Sequence, residues 1–257
     1  EQNAASGASK TIKSIDKTFD ILEFIQERDG ARITDIADHL NISKGTVHSH
    51  LATLERRRYV VNESDVYRIG YRFLNLGGHA TTRNNLYDIA KNEINDLASE
   101  TGETANFIVE EFGWGIYLIQ SRGRKAVMTD SHIGKERLLH CTAAGKAILA
   151  NMTEKRTEEV IDRHGLPKLT EKTLTSREAL DSELEEIRDR GAAFDDEELI
   201  DGIRCVAAPI LDERGIAQGA ISISGPTKRM MGEKFRDEIP DLLTRTARII
   251  EINAAYD

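Results

Sequence analysis

The chain of 257 residues contains little cysteine and no long apolar run. Two cysteines are too few for a disulfide framework, so we expect the protein to work in a reducing compartment, the cytoplasm. No apolar run approaches the ~20 residues that a membrane-spanning helix needs, and no signal peptide precedes the first predicted domain. The sequence therefore predicts a globular protein without a membrane partner.

Catalytic and metal-binding motifs are also missing. The sequence has no G-x-S-x-G elbow, no P-loop and no G-x-G-x-x-G loop. His140 and Cys141 are adjacent in a predicted strand and would point to opposite faces, which makes a poor nucleophile–base pair. We therefore expect no enzyme activity, no cofactor and no bound metal. A metal-responsive sensor is the alternative, since soft ligands occur at His132, His140, Cys141 and Cys205, although without C-x-x-C or H-x-x-x-H spacing.

The charge of the chain is unevenly distributed. The whole sequence carries a net charge of −9, but residues 1–80 hold 11 basic and 11 acidic side chains, so the excess lies in the remainder. Such an excess is compatible with repulsion of DNA from the rest of the molecule and with a high-salt cytoplasm. Composition does not distinguish these two explanations.

The first part of the chain has the order of a helix-turn-helix unit. Apolar residues at helical spacing (Ile12, Ile15, Phe19, Leu22, Ile25) predict an amphipathic helix over 14–28. Thr34 is the predicted cap of a short second helix, and Asn41-Ile42 is the predicted turn. Ser43 then caps a third helix, whose predicted buried stripe is Val47, Leu51 and Leu54. Helix, short helix, turn and polar helix together are typical of DNA-binding domains.

The third helix and the residues after it predict a surface for double-stranded DNA. The N-terminal part of such a helix contacts base edges, and flanking basic groups contact phosphates. Two short strands, 59–61 and 66–69, predict a wing. The alternative is a solvated basic face with no role in DNA binding. The candidate DNA-binding residues are Ser43, Lys44, Thr46, His48, Ser49, His50, Arg56, Arg57 and Arg58.

A short linker helix, residues 71–84, follows the winged helix-turn-helix domain of residues 10–70. Its apolar side chains Tyr71, Phe73, Leu74 and Leu76 are too many for an isolated helix, which predicts packing on a second copy. Because helix-turn-helix proteins dimerise to match two half-sites, we expect a homodimer or homotetramer. Residues 1–9 are small and polar, which predicts a disordered N-terminus.

Residues 85–257 are predicted to form an α+β domain. Asn85 is the predicted cap of its first helix, and a change to a period of two then predicts strands at 104–112, 116–122, 126–131 and 137–140. Helices follow near 143–151, 154–164 and 177–190, capped by Thr142, Thr153 and Ser176. A hairpin of two apolar runs, 203–211 and 216–224, precedes a closing helix near 233–255. Hairpin strands with helices outside indicate an antiparallel sheet.

Two places in this domain have the residues of a binding site for a small acid. Ser222 and Ser224 share one face of an otherwise apolar strand, which suits the wall of a polar pocket. The start of the helix at Ala143 and Ala144 offers backbone N–H groups that carry the positive end of the helix dipole. Each feature has a structural alternative: exposed serines, tight helix packing at Ala-Ala-Gly, and a solvated loop for Asp195 in its run of four carboxylates.

Three stretches of the chain resemble the IclR family of transcription regulators. They are ITDIADHLNISKGTVHSHLATLERRRYVVNESDVYRIG, LHCTAAGKA and FDDEELIDGIRCVAAPILDERGIAQGAISISGP. The resemblance implies an N-terminal winged helix that binds DNA and a GAF-like C-terminal domain that binds a small organic acid effector. One departure is Ser49 followed by His50, where the family often has arginine, so the base sequence bound is not predictable.

The resemblance also implies which residues bind the effector. Carried over residue by residue, they are Ala143, Ala144, Asp195, Cys205, Ser222 and Ser224. Neither the resemblance nor the residues distinguish a repressor from an activator, or name the acid.

Overall fold

The computed structural model describes residues 11–256, so the disordered terminus predicted at residues 1–9 lies outside the described residues. Contacts divide the chain into two compact units, one up to Arg83 and one from Asn84. No helix within residues 11–256 is long and apolar enough to cross a membrane.

The N-terminal unit has the helix-turn-helix and wing that the sequence predicts. Asn41 adopts left-handed geometry (φ 51°) between the second and third helices, and Ser43 caps the third helix by accepting a hydrogen bond from the Thr46 N–H. Ser64 and Asp65, both with positive φ, form the two-residue turn of the wing. Its elements are α1 (Lys13–Glu27), α2 (Ile33–Leu40), α3 (Lys44–Arg56), β1 (Val60–Glu63), β2 (Val66–Ile69) and α4 (Phe73–Thr81).

The first two helices differ in detail from the prediction. Ile12, Ile15 and Phe19 are exposed, and the buried residues of α1 are Ile21, Leu22, Phe24 and Ile25. The predicted buried stripe extends too far towards the N-terminus of α1, because only the C-terminal half of this helix packs in the core. The cap of α2 is Arg32 rather than Thr34, and the Asp35 carboxylate accepts from the Arg32 N–H at 3.1 Å.

Helix α4 exposes most of its apolar residues. The Phe73 ring packs on the Tyr59 ring at 4.8 Å between centroids, so it belongs to the core of the unit. Leu74 and Leu76 in α4, and Tyr71 just before it, are exposed. The homodimer expected from these side chains stays a prediction.

The C-terminal unit is an antiparallel sheet of six strands in the order β5-β4-β3-β8-β7-β6. One face packs on α5 and α9 through Phe107, Ile221 and Ile223. The other face packs on α6 and α8 through Ala193, Ala207 and Ala220. The α+β fold expected from the sequence is confirmed. Its elements are α5 (Leu86–Thr101), β3 (Thr104–Glu111), β4 (Trp114–Arg122), β5 (Glu136–Leu138), α6 (Ala143–Ala150), α7 (Glu154–His164), α8 (Arg177–Arg190), β6 (Ala193–Asp196), β7 (Ile203–Leu211), β8 (Ala217–Pro226), the π-helical segment Lys234–Glu238 and α9 (Ile239–Tyr256).

One strand predicted from the sequence is wrong, and one strand of the structure was not predicted. The predicted strand at 126–131 is irregular, because its carbonyls at Asp130 and Ser131 accept hydrogen bonds from the side chains of Arg137 and Arg122. Conversely, β6 was not predicted, since two of its four residues are aspartates.

The caps of the second unit are mostly as predicted. Thr142, Thr153 and Ser176 each accept a hydrogen bond at the start of a helix. The exception is α5, where the Asn84 side chain, not that of Asn85, accepts from the Leu86 N–H at 2.9 Å.

Candidate functional site

A small cavity lies in the C-terminal unit where the start of α6 meets strands β5, β7 and β8. Its volume is about 40 Å³. The predicted effector residues that line it are Ala144, Asp195, Cys205, Ser222 and Ser224. Ala143 does not line it: this residue is fully buried in the core beside α8. The structure therefore brings five of the six predicted residues to one cavity.

The two faces of β8 differ as predicted from the sequence. Ile221 and Ile223 are buried against α5 and α9, while Ser222 and Ser224 face the cavity. Behind Ser222, side chains form a hydrogen-bonded chain: Asn106 Nδ2 donates to Ser222 Oγ at 3.3 Å, and Gln120 Nε2 donates to Asn106 Oδ1 at 3.2 Å. Ser222 is buried and accepts from Asn106, and its hydroxyl also contacts the Cys205 thiol, so both groups lie at the same side of the cavity.

The start of α6 supplies backbone donors to the cavity. Thr142 Oγ1 accepts from the Gly145 N–H at 3.0 Å, which satisfies one of the first N–H groups of the helix. The N–H groups of Ala143 and Ala144 come before the point where intrahelical bonds begin. Ala144 lines the cavity with no side chain beyond Cβ, so an anion can approach its backbone closely.

Asp195 is buried at the cavity wall rather than solvated in a loop. Its Oδ1 accepts from the N–H groups of Glu198 at 2.7 Å and Leu199 at 3.4 Å. Burial, and after it the charge of Glu198, raises the pKa of Asp195 to about 7. Near neutral pH a large share of this carboxyl is therefore protonated, and in that form it donates a hydrogen bond instead of repelling an acid.

The rest of the acidic run is fixed by cations. The Asp196 carboxylate contacts Arg204, and Glu197 Oε1 lies 2.7 Å from Lys172 Nζ. Glu198 pairs with Lys146 of α6, a lysine whose side chain is only 1% exposed. Of the four carboxylates only Asp195 lines the cavity, and Glu198 ties the segment that carries it to α6.

Two further side chains of the cavity, Tyr117 and Arg137, were not predicted from the sequence, and the thiol of the predicted Cys205 has an altered pKa. Burial raises the pKa of Tyr117 and of the Cys205 thiol well above their ordinary values, so both groups are neutral donors. Arg137, in β5, also lines the cavity. The sequence could have indicated Arg137, because this residue lies three positions before His140, in the strand that precedes the start of α6.

The structure does not support the metal-sensor alternative. Within residues 11–256, no group of three or more His, Cys, Asp or Glu side chains could hold a metal ion. His140 Nε2 lies 3.1 Å from the Pro167 carbonyl, and the buried Cys141 thiol donates to the Leu138 carbonyl at 3.5 Å. These two candidate ligands are thus engaged with backbone groups.

The candidate DNA-binding residues lie on or next to α3. All are exposed except Thr46 and His50, which are half-buried. Thr46 contacts the capping Ser43, and the His50 ring lies 2.8 Å from the Thr18 hydroxyl of α1. The tip of the wing is acidic, with Glu63 and Asp65, so the positive charge of this surface comes from Lys44 and the arginines at 56–58.

Two family models match this chain. The model for the IclR helix-turn-helix domain matches residues 14–64, and the model for the bacterial transcriptional regulator IclR C-terminal domain matches residues 78–252. A curated relative, the probable HTH-type transcriptional regulator ArcR of Halobacterium salinarum, is 33% identical over 97% of this chain and 96% of its own length.

Solved structures show the same fold. The crystal structure of the Thermotoga maritima IclR protein is 32% identical, with a TM-score of 0.81 over 96% of this chain and all of that chain. An IclR homologue from Microbacterium hydrocarbonoxydans, solved in complex with 4-hydroxybenzoate, has a TM-score of 0.81 at 20% identity, over 95% of this chain and all of its own. At that identity the second likeness concerns the fold alone.

Proposed function

The chain belongs to the IclR family of DNA-binding transcription regulators, and we propose that a small carboxylic acid in the cavity modulates its operator binding. The proposal goes beyond the family assignment in naming the ligand class and the site. Relatives in this family are transcription regulators rather than enzymes.

One observation supports the proposal most: donors converge on a small cavity from two opposite sides. Ala144 lines the cavity at the start of α6, where helix N–H groups attract anions, and Ser222 and Ser224 line it from strand β8. A carboxylate would accept charge-assisted hydrogen bonds from the helix start, while the hydroxyls and protonated Asp195 would donate to the rest of the molecule. An apolar ligand would offer no acceptor to these donors, and each buried donor left without one costs ~1–3 kcal/mol.

Ligand-induced stabilisation of the full chain tests the proposal. A ligand that binds only the native state raises the unfolding free energy by RT ln(1 + [L]/Kd). We expect thermal shifts with short carboxylic acids and none with the corresponding primary amides, because the amides lack the anion. The acids that stabilise the chain should also change its affinity for operator DNA. A set of acids that shifts neither the melting temperature nor the DNA affinity contradicts the proposal.

Replacing Ser222 by alanine should weaken the acid about 2- to 150-fold, the range expected for the loss of one hydrogen bond. DNA affinity without the acid should stay nearly unchanged. The measurements are calorimetric titration with the acid and gel-shift titration with DNA. Ser121→Ala is the matched control, since Ser121 lies in the same sheet outside the cavity lining. Loss of DNA binding as well would make Ser222 a structural residue.

We propose further that α3 contacts base edges and that the arginines at 56–58 contact phosphates. Ser43, Lys44, His48 and Ser49 are exposed along the N-terminal half of the helix, where base contacts are expected. Arg56, Arg57 and Arg58 are exposed where the helix ends. The His50 ring is hydrogen-bonded to Thr18 and so links α3 to α1, which suggests that His50 positions α3 rather than contacting bases.

Arg57→Ala should lower affinity by a similar factor on specific and non-specific DNA. Each phosphate contact removed should reduce the slope of log K against log salt by about 1. His48→Ala should instead change the preference among sequences. Arg214→Ala, at an exposed turn of the C-terminal unit, is the control and should change neither quantity. Unchanged affinity and salt slope in Arg57→Ala would show that Arg57 does not contact the phosphates.

A further inference from the structure

Arg137 lines the cavity, and its guanidinium has a buried donor without a partner in the part of the chain that the structure describes. Arg137 Nη2 donates to the carbonyl and the carboxylate of Asp130, the latter at 3.2 Å. Arg137 Nε is buried and has no hydrogen-bond partner among the described residues. A buried guanidinium N–H without an acceptor costs free energy. A ligand that brings an acceptor to Nε would remove that cost.

The surroundings of Arg137 leave its charge only partly compensated. Asp130 lies on the outer side, where its side chain is 68% exposed and also 2.8 Å from Lys135 Nζ. An exposed carboxylate shared by two cations offsets little of the charge of a half-buried guanidinium. On the inner side, the acidic residue of the lining is Asp195, whose buried carboxyl is held by backbone N–H groups. Arg137 is the sole cation among the residues that line the cavity.

The cavity therefore attracts negative charge at two separate places. One is the start of α6, where Ala144 lines the cavity, and the other is Arg137 of β5. Building on the acid-binding function proposed above, we infer that the effector is a short dicarboxylate. One carboxylate binds at the start of α6, and the second accepts from Arg137 Nε. The volume of about 40 Å³ restricts the chain between them to very few carbon atoms.

Matched pairs of acids and their monoesters test this inference. Malonate and succinate carry two carboxylates, whereas monomethyl malonate and monomethyl succinate keep one carboxylate and a similar length. Binding to the full chain is measured by calorimetric titration. We expect at least one of the two dicarboxylates to bind ~10-fold or more tightly than its monoester, because a hydrogen bond to a charged group is lost in the ester.

Arg137→Leu should remove that preference. Dicarboxylate affinity should fall ~10- to 100-fold, while monoester affinity should change by less than about threefold. Arg124→Leu, an exposed arginine outside the cavity lining, is the control for net charge and should retain the preference. If Arg137→Leu does not fold, Arg137→Lys is the replacement test. It keeps the positive charge without the planar Nε–H, and we expect a loss of dicarboxylate affinity smaller than that for leucine.

The outcomes separate this inference from the function on which it rests. If Ser222→Ala weakens the acids and Arg137→Leu or Arg137→Lys leaves the dicarboxylate preference intact, the dicarboxylate inference is overturned and acid binding stands. Monoesters that bind the wild-type chain as tightly as the dicarboxylates overturn it equally. If none of the four acids binds while another short carboxylic acid stabilises the chain, the dicarboxylate inference is overturned and acid binding stands. If no short carboxylic acid binds, both proposals fail.

Discussion

The Gly145→Ala variant is expected to lose the folded C-terminal unit or to unfold at a much lower temperature. A Cβ at this position would lie 2.2 Å from the Leu139 carbonyl oxygen and 2.4 Å from the Leu139 Cα. Both are backbone atoms, which cannot rotate away as a side chain can. The start of α6 would have to move out of the core, at a cost of at least about 3 kcal/mol.

Gly77→Ala in α4 is the matched control for this variant. Gly77 is also helical, but a Cβ there meets nothing within 4 Å. The same substitution should stabilise α4 by ~0.5–1 kcal/mol, because alanine loses less backbone entropy than glycine in a helix. Thermal unfolding followed by circular dichroism compares the two variants. An unchanged midpoint for Gly145→Ala would show that α6 tolerates displacement from Leu139.

The Lys146→Met variant is expected to lose about 3–5 kcal/mol of stability, the usual cost of breaking a buried ion pair from one side. Lys146 Nζ lies 2.5 Å from Glu198 Oε1 and 3.4 Å from Glu183 Oε1. Burial already raises the pKa of Glu198, and Lys146 opposes that shift. Without the ammonium group, Glu198 must remain charged without this partner or take up a proton.

Urea unfolding of the full chain, followed by Trp114 fluorescence, measures this loss, because the single tryptophan lies in the C-terminal unit. Lys172→Met is the control: Lys172 pairs with Glu197 at 2.7 Å, but its side chain is 48% exposed, so a much smaller loss of stability is expected. Adding Glu198→Leu to Lys146→Met should restore part of the stability, since the unpaired charge is removed. Equal losses for Lys146→Met and Lys172→Met would contradict the buried-pair argument.

Local patterns were sufficient to predict most of the helices and the main hairpin. Ser43, Thr142, Thr153 and Ser176 were found as caps because each hydroxyl precedes an apolar helical stripe. The prediction that Ser222 and Ile223 point to opposite faces of β8 followed from strand alternation alone. These features depend on residues within a few positions of each other, which a single sequence shows directly.

The features that were missed depend on distant partners. Strand β6 forms because Ala193 and Asp195 pair with β7, and its aspartates gave no strand signal. Arg137 was not predicted as a site residue, and Lys146 was not predicted as a core residue. The position of Arg137 at the cavity and the pairing of Lys146 with Glu198 arise only when the chain is folded. Ile15 and Phe19 follow a helical period but are exposed among the described residues, and spacing cannot show that.

The order of strands in the sheet has a consequence for synthesis of the protein. Strand β3 pairs with β8, and Asn106 bonds to Ser222, 116 residues later, so the sheet cannot be completed until the chain has grown past β8. The first unit needs only contacts within its own short length, and local contacts form faster than distant ones. On the ribosome, the helix-turn-helix unit can therefore fold while the cavity does not yet exist. A newly made chain can therefore complete the unit proposed to bind DNA before it completes the cavity proposed to bind the acid.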